Sequence, residues 1–494
     1  MAEKSHVDLP EVFAAGSIGK ARVYRLQRQG EIRKIAPHLY TSNMVDDVVA
    51  IVRRNIWRIV GLLYPDAVIS ERTAARMGEG EPIFIISGRS RAAEISGMVI
   101  RPGKGAPPQP TDVRFMGNLY MASPARIILE NAALSRSSRN GVARRLSKIE
   151  LEEYLDDMIR RYGEVAINKI RDDMRTLAPT LGLETEFEAV SKVISALLQT
   201  HESKLESRAG IARSRGLPFD GGRVALFTGL YGELEKTAPV IRTGKYSETL
   251  AFFEAYFSNF IEGTEFEVRE AREIVFGNVM PAGRPEDAHD IKGTFDIVSN
   301  GKEMRKVPKT FDDFIGLLQS RHKTLMAGRP DKEPGIFKIK ANRAGSTDFV
   351  APELVSGTLK HGFEIYRKLT SPFARAVFMM FLVAEVHPFN DGNGRVGRIM
   401  MNAELAAADE LSIIIPTIYR NNYIAALKTL SQSSRPSPIV KVLDFAQKYT
   451  GAVDWTDYYT AFDCLTRTNA FIDPTEADNE GIRLTLPNRE GAMT

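Results

Sequence analysis

The sequence has almost no cysteine: Cys464 stands alone in 494 residues. An internal disulfide is therefore excluded, and so is a Cys-x-x-Cys zinc pair, which leaves Cys464 to be read as a small buried apolar residue. Long hydrophobic runs are missing as well. The most apolar stretch, "ARAVFMMFLVAEV", is too short to cross a bilayer and contains Arg375 and Glu385. The amino terminus lacks a basic segment followed by an apolar one, so a cytoplasmic protein without a leader is expected. Composition fits a globular protein and makes disorder not the default, with 43% hydrophobic and 26% charged residues and a mean hydropathy of -0.20. No repeat of fixed period is present.

What is there is enough chain for two to four domains, with an uneven charge. Residues 1–150 hold 23 Lys+Arg against 14 Asp+Glu, whereas the remainder holds 43 against 48. The front third thus suits a polyanion. In "GSIGKARVYRLQRQG" (16–30), Val23 and Leu26 are spaced for a buried helical stripe, and Lys20, Arg22, Arg25 and Arg28 occupy the rest of that surface. Gly30 is placed to end the helix, and "EIRKIAPHLYTS", with Arg33 and Lys34, alternates like a short hairpin. Helix plus basic hairpin reads as a winged helix over 1–65, a candidate DNA-binding domain.

The first 135 residues resemble AbiEi-type antitoxin regulators, in which such a module precedes a small α/β segment. The likeness is carried by Gly30, Ile32, Lys34, Ile35, Leu39 and Tyr40, then "VISERTAARMG" (68–78), "IFIISG" (83–88) and "MASPARIILENA" (121–132). A small α/β segment is accordingly expected over 66–135, with the Gly/Pro-rich stretch 101–112 as a loop within it. Residues 136–229 are charged and helix-periodic, a helical connector with its hinge at 201–224. From 230 to 455 the pattern is mainly helical, with amphipathic runs at 246–261, 311–325, 353–386 and 396–411 and one strand-like interruption at 335–352. A tail follows over 456–494.

The chemistry concentrates in "HPFNDGNGRVGR", residues 387–398. Gly392, Gly394 and Gly397 form a G-x-G-x-x-G, but a dinucleotide fold needs a buried strand running into the first glycine. Here a helix-like run precedes it, so that reading fails. Instead, one helix should end before Pro388 and another begin after Gly394. The loop then lies at a helix amino end, where unpaired N–H groups attract anions. Arg395 and Arg398 can turn toward the same anion, Asp391 offers a hard oxygen to Mg²⁺ beside a nucleotide, and His387 can take a proton.

These letters resemble the Fic-domain signature, His-Pro-Phe-x-Asp/Glu-Gly-Asn-Gly-Arg-x-x-Arg, at every fixed position. The resemblance implies an all-helical catalytic domain over 230–455 with a β-hairpin flap, and a mainly α chain once the front modules are added. It implies a protein adenylyltransferase that moves AMP from ATP to a Ser, Thr or Tyr hydroxyl of a target protein. Within it, His387 would be the base and Phe389 the loop's anchor. Asp391 would hold Mg²⁺; Gly392, Asn393 and Gly394 would form the anion hole, with Asn393 on the α-phosphate. Arg395 and Arg398 would clamp the outer phosphates. Relatives that act as kinases carry lysine at the place of Gly394, which favours adenylylation here. Gly335, Phe337 and Lys338 match the family's flap, which docks the target by main-chain pairing.

Upstream, "SNFIEG" closes an amphipathic helix near 246–263 and resembles the family's inhibitory motif, Ser/Thr-x-x-x-Glu-Gly/Asn, with Ser258, Glu262 and Gly263 at its fixed positions. That resemblance implies that Glu262 pairs with Arg398 and blocks the γ-phosphate. The expected partners are a target protein, the chain itself, DNA at the front domain and a second copy in a homodimer, with no membrane. Two other readings stay open. One is an antitoxin-like transcriptional regulator whose Fic domain senses ATP; the other is removal of AMP at the same site.

Overall fold

The computed structural model describes residues 9–78, 82–133, 142–237, 241–244, 247–281, 283–345 and 347–487. The chain divides into two compact units, Met1–Gly216 and Leu217–Thr494. Among the described residues no helix is long and apolar enough to cross a membrane.

In the first unit, strands Val12–Ala14, Arg33–Ala36 and Leu39–Thr41 form an antiparallel sheet with the last strand in the middle. The Lys20–Arg28 helix buries Val23 and Leu26 against Phe13 and Ile32, as its apolar spacing demands. Gly30 follows with φ +70, a conformation that suits glycine after a helix end. A second, six-stranded mixed sheet spans residues 68–121. Part of the expected loop at 101–112 belongs to it, because Met98–Gly103 is a strand. Pro102 is tolerated there since the neighbouring strand on one side pairs only as far as Ile100. Helices Lys148–Leu181 and Glu184–Leu197 then build their own core around Leu155, Met174 and Ile194.

The second unit is helical, so the chain as a whole is mainly α. Its centre is a pair of helices, Pro372–Val386 and Asn393–Ala407, buried on nearly every side. That burial explains why the first lacks a polar face. Gly397 sits where they cross: a Cβ there would lie 3.4 Å from the Met380 carbonyl, so this glycine serves helix packing and not a nucleotide turn. The run expected at 353–386 is two helices, Val355–Tyr366 and Pro372–Val386, separated at the Ser371–Pro372 start signal.

The unit begins before residue 230. The Gly221–Leu234 helix, in the stretch read as connector, places Phe227 against Phe378 and Phe381 at 6.1 and 6.0 Å. Residues read as a tail also join this core. Leu465 and Ala470 are fully buried in it, and Phe471 stacks on Phe257 at 5.4 Å. Hydrophobic area, rather than the charge pattern, sets both edges.

Candidate active site

The helix Pro372–Val386 stops because Pro388 cannot follow in helical geometry, and His387 takes a left-handed conformation, φ +53. The next helix starts at Asn393, two residues earlier than the sequence suggests, with Gly392 at φ +74 as its cap. Between them the loop is bolted down. The Phe389 ring is fully buried and stacks on His322 at 3.6 Å with 2° between planes. Its N–H donates to Asn393 Oδ1 at 2.8 Å, and its carbonyl accepts from Asn393 Nδ2 at 2.9 Å and from Asn342 Nδ2 at 2.9 Å. The side chain of Asn393 is therefore spent on the loop itself. What it holds in place is the backbone of the expected anion hole.

His322 ties two segments together. Its Nδ1 accepts from the Gly335 N–H at 2.9 Å, which fixes the tautomer in which Nε2–H donates to the Asp391 carbonyl at 2.9 Å. Burial pushes this imidazole down to about 4, so it stays neutral. The Lys338 N–H donates to the Pro388 carbonyl at 2.8 Å, and Phe337 packs on Phe389 at 5.2 Å. With Gly335–Lys338 committed to the loop, these residues cannot pair as a strand. The hairpin is shorter and later than 335–352 suggests, its strands being Arg343–Ala344 and Thr347–Asp348.

The two arginines of the loop helix meet different acids. Arg395 Nη1 lies 2.5 Å from Asp290, 3.4 Å from Asn259 Oδ1, and its Nη2 is 3.6 Å from Asp391. Arg398 donates through Nε to Ser258 Oγ at 3.0 Å, and through Nη2 to the Ser258 carbonyl at 2.7 Å and to Glu262 Oε1 at 2.8 Å. Glu262 terminates the helix Glu248–Ile261, and Gly263 leads the chain away at φ +90. A Cβ on Gly394 would lie 2.2 Å from Glu262 Oε1. The glutamate's carboxylate thus rests on the amino end of the 393–407 helix, the very place where that helix attracts an anion. Burial pushes the Glu262 carboxyl up, but Arg398 and then Arg395 outweigh it and hold the group below its usual range.

His387 lies within electrostatic reach of Lys338, Glu262 and Asp391. Its Nδ1 is 3.2 Å from the Ala384 carbonyl and its ring stacks on Phe349 at 3.7 Å with 7° between planes. With Nδ1–H donating to that carbonyl, the Nε2 lone pair is left to accept a proton. Burial is the main reason its imidazole is pushed down to about 4. Asp391 leaves much of its side chain, 42%, in solvent and accepts from the Gly392 N–H at 2.6 Å.

Asp290, His322 and Phe349 were missed by sequence reasoning. For Asp290 a signal existed: an acid among Ala288, Ile291 and Phe295 on the buried stripe of Pro285–Val298 calls for an internal cation. In the other unit, Lys20, Arg25 and Arg28 are exposed and Arg22 is half-buried. Lys34 is exposed on its strand, whereas the Arg33 guanidinium is committed to the Asp46 carbonyl.

Residues 315–405 match the model of the Fic/DOC family. That segment carries the 387–398 loop and His322, but not the helix of Glu262. The chain is 38% identical over 76 residues to a Fido domain-containing protein of Dictyostelium discoideum, covering 14% of this chain and 53% of that protein. It is 27% identical over 218 residues to the protein adenylyltransferase Fic of Drosophila yakuba, 41% of this chain and 42% of that one. With the protein adenylyltransferase fic-1 of Caenorhabditis elegans it shares 24% over 181 residues, 36% of each chain. A solved structure of Fic-1 from C. elegans aligns with 64% of this chain and 83% of its own at a TM-score of 0.35 and 17% identity. The chain spans about half the length, or less, of the curated relatives it matches. It carries a Fic/Fido domain related to protein adenylyltransferases at modest identity.

Proposed function

We propose that the second unit is a protein adenylyltransferase held inactive by Glu262. One observation supports this reading: the Glu262 carboxylate, paired with Arg398, rests over Gly394 at the amino end of the 393–407 helix. In the released state the phosphates of ATP take that site, with the N–H groups of the loop and Arg398 as donors. Neutral His387 accepts the proton of a Ser, Thr or Tyr hydroxyl at Nε2. The freed oxygen bonds to the α-phosphorus, the bond from that phosphorus to the bridging oxygen breaks, and pyrophosphate leaves with both electrons. The residues fit Mg²⁺ shared with a nucleotide: Asp391 is one partly exposed carboxylate, and such an ion is usually held by one or two carboxylates plus phosphate and water. No cluster of three or more acidic, histidine or cysteine side chains is present among the described residues to hold a metal alone. When bound, Mg²⁺ would neutralise phosphate charge beside Asp391.

Transfer of label from ATP tests the proposal. Glu262→Gly should raise self-adenylylation by about tenfold or more, and His387→Ala should abolish it in either background. Equal labelling of wild type and Glu262→Gly would remove the autoinhibition.

For the first unit we propose DNA binding, supported by the exposed Lys20, Arg25, Arg28 and Lys34 around a three-stranded sheet. A gel shift of the full chain at several salt concentrations tests it. No shift at low salt would point to a protein-interaction module instead.

A further inference from the structure

The hairpin beside His387 is too small to hold itself. It consists of two residue pairs, Arg343 with Asp348 and Ala344 with Thr347, and a ladder of that size is not stable alone. Yet the residue that follows it, Phe349, lies flat on the His387 imidazole at 3.7 Å. Behind the ring the chain is anchored by buried Val350 and by the Phe349 N–H donating to the Asn342 carbonyl at 3.3 Å. Something else must fix the hairpin side.

That something is Arg223, on the Gly221–Leu234 helix, which neither the motif nor the proposed chemistry uses. Its Nη1 pairs with Glu385 and lies 3.4 Å from Ser431 Oγ, while its Nη2 donates to the Asp348 carbonyl at 2.7 Å. Glu385 stands in the last turn of the helix that ends at His387, and it also accepts from Ser431 Oγ at 2.9 Å. Gln432 adds a weaker tie, Nε2 to Thr347 Oγ1 at 3.4 Å. The Arg223 and Glu385 side chains are 17% and 6% exposed, so the pair is only lightly screened by water. A planar guanidinium spreads its donors over separate nitrogens and so reaches two acceptors that lie apart, whereas the three N–H groups of an ammonium radiate from one nitrogen on a flexible stem.

We propose that Arg223 is a positioning residue for His387: its fork fastens the hairpin to the helix carrying that histidine and so sets the Phe349 ring flat on the imidazole. The ring then fixes the plane of the imidazole and covers one of its faces, leaving Nε2 aimed at the incoming hydroxyl. The inference rests on the reading of His387 as the base, but its first readout does not, because the ring's surroundings can be measured whether or not AMP moves.

The test is a histidine titration by NMR on the full chain, isotope-labelled at its seven histidines, with the His387 signal assigned through His387→Ala. The charged groups that act on His387 are Lys338, Glu262 and Asp391, with the Ala384 carbonyl at Nδ1 and the Phe349 ring on its face; none is substituted in Arg223→Gln, and the charge that Arg223 exerts on Lys338 is kept in Arg223→Lys. In wild type, His387 should stay neutral down to about pH 5, because burial holds it near 4. Arg223→Gln should raise its midpoint by about one pH unit or more as the ring loosens. In the Glu262→Gly background the same change should lower kcat for AMP transfer about tenfold with KM for ATP unchanged. Arg223→Lys should restore neither. If Arg223→Gln lowers Tm and leaves the His387 midpoint where wild type has it, Arg223 is structural only and the proposal is overturned. Phe349→Ala removes the ring directly and must raise the midpoint as well; an unchanged midpoint there overturns it too. A shifted midpoint with no AMP transfer in any variant keeps the latch and discards the transferase reading.

Discussion

Two arginine-bearing helices in this chain treat charge in opposite ways. On the Asn393–Ala407 helix, Arg395 and Arg398 are 4% and 6% exposed and each meets an acid from a distant helix. On the Lys20–Arg28 helix, Arg25 and Arg28 face solvent, with Arg28 lying over the Tyr24 ring at 5.8 Å. A buried charge needs its own partner at a fixed distance, so every such pairing specifies geometry. An exposed charge acts through a summed, salt-screened field and tolerates a change of position. The first arrangement suits a reaction centre, and the second suits a polyanion met in many registers.

The difference can be broken most forcefully at Asp290. Its side chain, 1% exposed, lies 2.5 Å from Arg395 Nη1 and 2.9 Å from Arg329 Nε. Asp290→Ala takes a near carboxylate from both Arg395 and Arg329 and leaves buried Arg395 only the longer contacts to Asp391 and Asn259, so the second unit should lose about 3 kcal/mol of stability. Urea unfolding followed by tryptophan fluorescence checks this, since the two tryptophans, Trp57 and Trp455, fall one in each unit and Trp57→Phe leaves a reporter on the second alone. A loss under about 1 kcal/mol would mean that the pair is not matched as tightly as burial requires.

A smaller effect comes from pH. His322 has its imidazole pushed from 6.5 down to about 4. Between those values the unfolded chain binds a proton that the folded one refuses, so this stability is present above pH 6.5 and is lost as pH falls toward 4. The loss over that window is roughly 3 kcal/mol by linkage. Buried Glu254, pushed up to about 7, works in the opposite direction and is stabilising while protonated. Comparing wild type with His322→Asn cancels that opposing part. The gap in urea midpoint between the two should narrow from pH 7 to pH 5, and a constant gap would show that His322 is not held neutral by the fold.

Much of the candidate site was legible because short-range rules govern it. Pro388 after a helical run, glycines at 392 and 394 and a polar sequence between two apolar stretches dictate helix, loop and helix from local backbone physics alone. The pairing of Glu262 with Arg398 was legible only through a motif, since nothing within residues 246–263 says which cation answers the glutamate. The need of Asp290 for a cation was legible from its place on a buried stripe but its partner was not, and His322 and Arg223 lay beyond reach because their roles depend on contacts with segments 69 and 162 residues away in sequence. The unit's amino-terminal edge escaped for the same reason, since Phe227 looks like a linker residue until the core that buries it is assembled.

The smallest expected change in stability sharpens the contrast from the other side. Replacing Arg25 and Arg28 together by alanine removes two exposed charges whose neighbours on the helix, Val23 and Leu26, keep the packing. Stability of the first unit should change by less than about 0.5 kcal/mol, measured through Trp57 in a Trp455→Phe background. Affinity for duplex DNA should nevertheless fall at every sequence tried. The slope of log K against log salt should become shallower by about 2, at roughly 0.9 for each phosphate that is no longer neutralised. Reduced stability with an unchanged salt slope would reverse the assignment, making these arginines part of the fold's own framework and leaving the front unit without its electrostatic case for DNA.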